Sequence, residues 1–168
     1  NLKNTAQMVK IAHAMGATIE GEIGHVGFAF EETMGDFTEP AEAKAFVEKT
    51  GVCCLAVLVG NAHGHYKKTP CLDIDRIKAI REACGVPLVL HGGSGIPDDQ
   101  VKAAIKAGMR KMNIGTDVCC AFADGTKAAL EDPNRSLAVD VFMESAIASV
   151  KALAADKIEL CGAAGKAN

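Results

Sequence analysis

The stretch that most restricts the fold is Val52–Val59, which reads Val-Cys-Cys-Leu-Ala-Val-Leu-Val. It is apolar throughout and does not alternate, so a strand built from it must be covered on both faces. Such strands belong to parallel sheets, whose crossover connections carry helices over them. The flanking segments agree. Asn1–Gly16 places Leu2, Ala6, Val9, Ala12 and His13 on one helical face and ends on a glycine. Ala17–Ile23 reads as a short strand with Glu20 and Glu22 on one side, by the period of two. Thr38 is expected to cap a helix over Glu39–Lys49, with Pro40 in its first turn. Asp73 caps a further helix that runs to Cys84, and Pro87–Leu90 is a second buried strand. Pro97 opens a helix ending near Gly108, and Lys111–Ile114 is a fourth strand. Helices over Thr116–Glu131 and Ser136–Asp156 complete the chain. Helix and strand therefore alternate, which predicts an α/β fold with a parallel sheet in one domain over residues 1–168.

Composition narrows the partners. With 49% hydrophobic residues, 4% aromatics and no Trp, the core is built from Ala, Val, Ile and Leu, which suit helix-on-sheet layers. A net charge of -3 without a basic run points away from nucleic acid and from a membrane surface. The seven cysteines form no C-x-x-C pair, and several lie in apolar runs. That usage reads as free thiols in a reducing, cytoplasmic setting.

Ligands of parallel α/β folds bind beyond the carboxyl ends of the strands. Polar clusters fall at those ends four times: at Glu22, Asn61–Lys67, His91–Ser94 and Asn113–Asp117. His63 and His91 close two successive strands, so both can reach one cavity. Neutral imidazole suits Zn²⁺, and a catalytic zinc site takes three protein ligands and one open position. Each His alone also reads as a capped loop histidine; their equivalent placement favours the metal. The glycines and Ser94 of His91–Gly95 can form a nest of backbone N–H groups for phosphate, though the same pattern serves as an ordinary turn. Lys67 offers a point charge to that phosphate or to solvent. Glu22 is either a metal-site carboxylate or the partner of a barrel Lys or Arg. Glu31 and Glu32 lie on a loop that reads either as a solvated acidic segment or as a lid carrying a base.

The stretches "GATIEGEIGHVG", "TGVCCLAVLVGNAHGHYK" and "PLVLHGGSGIPDDQVKAAIKAGMRKMNIGTD" resemble, in order, the second half of class II, metal-dependent ketose-bisphosphate aldolases. The resemblance implies the C-terminal half of a (β/α)₈ TIM barrel, about four strands with helices, ending in extra C-terminal helices. It implies cleavage of fructose or tagatose 1,6-bisphosphate to dihydroxyacetone phosphate and glyceraldehyde 3-phosphate. On this resemblance His63 and His91 would hold Zn²⁺ or another divalent metal, with Glu22 as a further metal-site carboxylate. Gly64, Lys67, Gly92, Ser94, Asn113 and Thr116 would hold the triose phosphate, and Glu31 would be the loop base. A dimer or tetramer is also implied.

The chain departs from the family in two respects: its loop reads Gly27-Phe28-Ala29-Phe30-Glu31-Glu32 where the family usually has Gly-Gly-x-Glu, with the segment up to Pro40 shortened, and an N-terminal motif is missing. An N-terminal Asp-His motif supplies the family's proton-transfer acid and another zinc ligand, and nothing here matches it. A whole barrel takes about 250 residues, so the N-terminal half is expected to be needed for activity and residues 1–168 alone to be inactive. A rival reading is a non-catalytic half-barrel that binds phosphate or serves as a scaffold. Half a barrel leaves two open sheet edges. The isolated 1–168 polypeptide is therefore expected to self-associate in sedimentation; a monomer with a cooperative unfolding transition would contradict this.

Overall fold

The computed structural model describes residues 1–29 and 36–166. The chain forms two compact units, residues 1–113 and 114–168. In the first, helices and strands alternate: α1 Leu2–Ala14, β1 Glu20–Ile23, α2 Pro40–Thr50, β2 Cys54–Val57, α3 Ile74–Cys84, β3 Leu88–Leu90, α4 Asp98–Ala107 and β4 Met109–Met112. The strands pair in parallel in the order β1-β2-β3-β4. With strands in sequential order and right-handed crossovers, the connecting helices all fall on one face. They do so in register with the strands: α1 packs on α2, α2 on α3, and α3 on α4.

Gly21 shows which way β1 faces. A β-carbon there would lie 2.8 Å from the Phe46 ring and 2.9 Å from Val52, so Gly21 turns toward the helical layer. Its neighbours Glu20 and Glu22 therefore turn to the other face. A singly wound sheet with helices outside and polar side chains on the opposite face has the build of a barrel wall. The central strands carry the core: Leu55, Val57, Leu88 and Leu90 are fully buried with Ile77 and Ile80 of α3. That is the two-sided burial which the apolar run demanded.

Three local expectations are corrected. Thr38 does not cap α2, where Glu39 holds the N-cap position. Its buried hydroxyl instead donates to the Ile23 carbonyl at 3.2 Å and accepts the Leu58 N–H at 3.0 Å, tying the ends of β1 and β2. Pro97 is the N-cap of α4 rather than its first residue. β4 starts at Met109, earlier than expected, because Gly108 ends α4 at a φ of 134° and leaves no linker before the strand. Asp73 caps α3 as expected, its Oδ1 accepting the Arg76 N–H at 2.9 Å.

The second unit holds α5 Thr116–Glu131, α6 Val139–Phe142 and α7 Glu144–Leu160. α5 and α7 approach closely at Gly125, where a β-carbon would lie 2.7 Å from the Ala146 Cα. Lys157 of α7 pairs with Asp117 of α5 at 3.0 Å. The single helix expected over Ser136–Asp156 is instead two, divided at Met143. Among the described residues no helix is long and apolar enough to cross a membrane. The seven cysteines are free thiols.

Arg76 makes the start of α3 a tie point. Its guanidinium donates to Asp73 Oδ2 at 3.1 Å, to Glu39 Oε1 at 2.7 Å and to the Thr38 carbonyl at 3.2 Å. The Arg76 backbone N–H, outweighing partial burial and helped by the guanidinium, holds the Asp73 carboxyl below its usual range. Asp73→Ala is expected to cost about 1 kcal/mol of stability by thermal unfolding. A depressed carboxyl stabilises fully above the ordinary aspartate pKa and loses that contribution as pH falls through the lower folded value. The gap between wild type and variant should therefore close only in strong acid.

Candidate active site

The loops after β2 and β3 are sewn together before any chemistry is considered. Asn61 is fully buried. Its side-chain oxygen accepts the Val59 N–H at 2.9 Å, and its amide donates to the His91 carbonyl at 3.1 Å. The Tyr66 hydroxyl accepts the Ala62 N–H at 2.7 Å and donates to the Gly92 carbonyl at 3.0 Å. Burial pushes the Tyr66 phenol up, so it remains a neutral donor. Gly92 has a φ of 62°, and a β-carbon there would overlap the Ala62 carbonyl oxygen. The two backbones can run this close only with glycine at that position.

This stitching brings the two predicted imidazoles together. The rings of His63 and His91 lie 5.9 Å apart, centre to centre. The His63 backbone is held by a second segment: its N–H donates to the Gly27 carbonyl at 2.9 Å, and its carbonyl accepts the Ala29 N–H at 2.8 Å. Phe28 sets its ring edge-on to His63 at 6.1 Å. His63 Nε2 is buried and has no hydrogen-bond partner among the described residues. An unsatisfied buried nitrogen costs about 1–3 kcal/mol, which a ligand at that atom would recover.

His91 lies between two carboxylates. Its Nε2 is 2.9 Å from Glu20 Oε1 and its Nδ1 is 2.8 Å from Glu22 Oε2. Lys111 Nζ contacts the other Glu20 oxygen at 2.8 Å. Burial alone would raise the Glu20 carboxyl, but the hydrogen bonds and charges of Lys111 and His91 outweigh it and hold the carboxyl below its usual value. The Cys54 thiol also faces Glu20, at 3.8 Å, and burial, then the Glu20 charge, pushes that thiol up.

Two imidazoles and a carboxylate are the donor set that a catalytic zinc takes. Among the described residues no three such groups close a shell around an ion. The orphaned His63 Nε2, on a ring 5.9 Å from that of His91, nonetheless leaves a buried donor that a divalent cation would take, and Glu22 contacts the same His91 ring.

The predicted phosphate cradle is partly reassigned. The Gly93 N–H donates to the Asn113 carbonyl at 2.9 Å, and the Asn113 N–H to the Leu90 carbonyl at 2.9 Å, so Gly93 offers no donor to an anion. The first turn of α4 carries Asp98 and Asp99, which disfavour phosphate at that helix N-terminus. Gly92 and the buried Ser94 lie in the loop ahead of it. Gly64 sits in open space at a φ of 89°, and Lys67 is exposed. Asn113 ends the first unit, and Thr116 opens α5 in the second. Glu31 lies outside the described residues.

Sequence reasoning left Glu20, Lys111, Asn61 and Tyr66 without individual roles. Glu20 was accessible to it, since it shares a strand face with Glu22.

Comparison with known proteins gives concordant findings. The family model for class-II fructose-bisphosphate aldolase matches residues 1–166. The YdjI aldolase of Escherichia coli K12 is 37% identical, with a TM-score of 0.86 over 100% of this chain and 58% of that one. A candidate fructose-1,6-bisphosphate aldolase of Coccidioides immitis is 27% identical, with a TM-score of 0.84 over 99% of this chain and 59% of that one. A fructose-bisphosphate aldolase of Campylobacter jejuni, at 22% identity and a TM-score of 0.78, shares the fold over 97% of this chain and 57% of that one. The chain thus spans less than two thirds of the length of these structures.

Gly92→Ala should lower stability by at least about 2 kcal/mol in urea unfolding, from left-handed strain and the collision with Ala62. Tyr66→Phe should cost about 1–3 kcal/mol, because the buried Ala62 N–H loses its acceptor.

Proposed function

The chain belongs to the class-II fructose-bisphosphate aldolase family, and from that membership we propose that it forms the C-terminal half of a metal-dependent aldolase. The substrate would be a ketose 1,6-bisphosphate, fructose or tagatose, and the products dihydroxyacetone phosphate and glyceraldehyde 3-phosphate. The observation that carries this reading is the 5.9 Å approach of the His63 and His91 rings, one of them with a buried, unpartnered nitrogen.

Cleaving the bond between the α- and β-carbons of a β-hydroxy ketone requires a base for the hydroxyl proton, an electrophile at the carbonyl to draw the released electron pair, and an acid to return a proton to the α-carbon. When bound, a divalent cation supplies Lewis-acid polarisation of that carbonyl. His63, His91 and Glu22 would hold it. Gly64, Lys67, Gly92 and Ser94 would grip the phosphate, and Thr116 is proposed as a further phosphate ligand. Asn113 would bind the triose portion. Holding the phosphate fixes where the carbonyl sits, and so replaces a chance encounter with one geometry. Glu31 is proposed as the base that moves the proton. The Asn61 and Tyr66 stitches keep the two loops in place, so that little reorganisation remains for the reaction itself.

The test uses the full-length protein that carries this chain, with triose phosphate release as the readout. Exhaustive chelation is expected to abolish cleavage, and Zn²⁺ or Co²⁺ to restore it. His63→Ala should lower kcat/KM by more than the about 10–100-fold typical of losing an outer-sphere partner. Cleavage that survives complete metal removal would refute the metal role. No cleavage of either sugar by the metal-loaded protein would favour the non-catalytic phosphate-binding module.

A further inference from the structure

His91 presents a choice that its surroundings decide. A neutral imidazole donates from one nitrogen and carries a lone pair on the other. His91 faces a carboxylate on both sides, Glu20 at Nε2 and Glu22 at Nδ1. A neutral ring can satisfy only one of them by hydrogen bonding. On the other side a neutral ring sets lone pair against anion, an opposition that a bound cation would relieve. The two sides are not equivalent. Glu20 already has its counter-charge, because Lys111 holds its second oxygen at 2.8 Å. Its side chain is 26% exposed, against 41% for Glu22. Among the described residues no lysine or arginine pairs with Glu22. Glu22 also stands two residues nearer the carboxyl end of β1, the end at which ligands of such sheets bind.

We propose that Glu20 is a positioning residue that selects the His91 tautomer: it accepts the Nε2–H, so that Nδ1 turns its lone pair toward Glu22 and the cation. The inference rests on the metal-dependent reading above. Glu20 does not touch the cation or the substrate. It acts through His91, and Lys111 acts through Glu20. One carboxylate thus ties β1 to the loop after β3 and to β4, and sets the ring's rotation as well as its proton.

The experiment again uses the full-length protein. In zinc-loaded wild type labelled with ¹⁵N-histidine, His91 should show a protonated Nε2 and a metal-bound Nδ1. The reverse pattern would overturn the proposal while leaving the metal site intact. Glu20→Ala should weaken zinc binding about 10–100-fold against a chromophoric chelator, and should shift the absorption bands of the Co²⁺-substituted protein. Glu20→Gln keeps an acceptor oxygen and should fall between wild type and Glu20→Ala. Lys111→Met should weaken binding in the same direction by a smaller factor. Unchanged zinc affinity and unchanged Co²⁺ bands in Glu20→Ala would overturn the proposal. If Glu20→Ala fails to fold, the Gln variant and the wild-type ring assignment decide. A wild type that binds no zinc would refute the metal-dependent reading itself, and this inference with it.

Discussion

At Gly92 the chain leaving β3 passes against the Ala62 carbonyl so closely that no side chain fits between them. Nearly everything else about the site follows from that approach. It lets one Tyr66 hydroxyl bridge both loops and lets the Asn61 amide reach the His91 carbonyl. Four hydrogen bonds from two side chains then replace the solvent that the two loops lose. The Asn61 amide and the Tyr66 hydroxyl are thus satisfied within the protein, which makes their part of the arrangement rigid as well as stable. Two imidazoles are held close as a consequence.

The sheet face opposite the helices carries a second constraint. Strands buried on both sides usually present apolar residues to both. Here Glu20, Glu22, His91 and Lys111 share contacts on one face. Such a face is tolerable because each polar group meets a partner: Lys111 meets Glu20, and His91 lies between Glu20 and Glu22. Removing any member would leave a partly buried charge without its partner, which is costlier than never having placed the group there. Among the described residues no lysine or arginine pairs with Glu22, and the His63 nitrogen is unpartnered. Structural economy and a demand for a cation are two readings of one charge pattern.

The local build was legible in the sequence wherever one short window carried the signal. The apolar run over Val52–Val59 announced a central parallel strand, and Asp73 announced a helix start. Thr38 shows where that logic stops. A Thr ahead of a Glu-Pro pair reads as a cap, yet its hydroxyl serves a strand end twenty residues further along. The single helix expected over Ser136–Asp156 is two helices, since nothing in the apolar spacing marks the break at Met143.

The sequence by itself determined the alternation of strand and helix, the parallel sheet and the two strand-end histidines, because these depend on periodicity and on residues near in the chain. Only the tertiary structure decided how those histidines are served. Glu20 meets His91 across a separation of 71 positions and Lys111 across 91. The pairing comes from the parallel register of neighbouring strands, and that register is set by packing helices against one face of the sheet. No local pattern encodes which of two carboxylates on a strand receives the lysine, because the choice is made by the strands that fold in beside it.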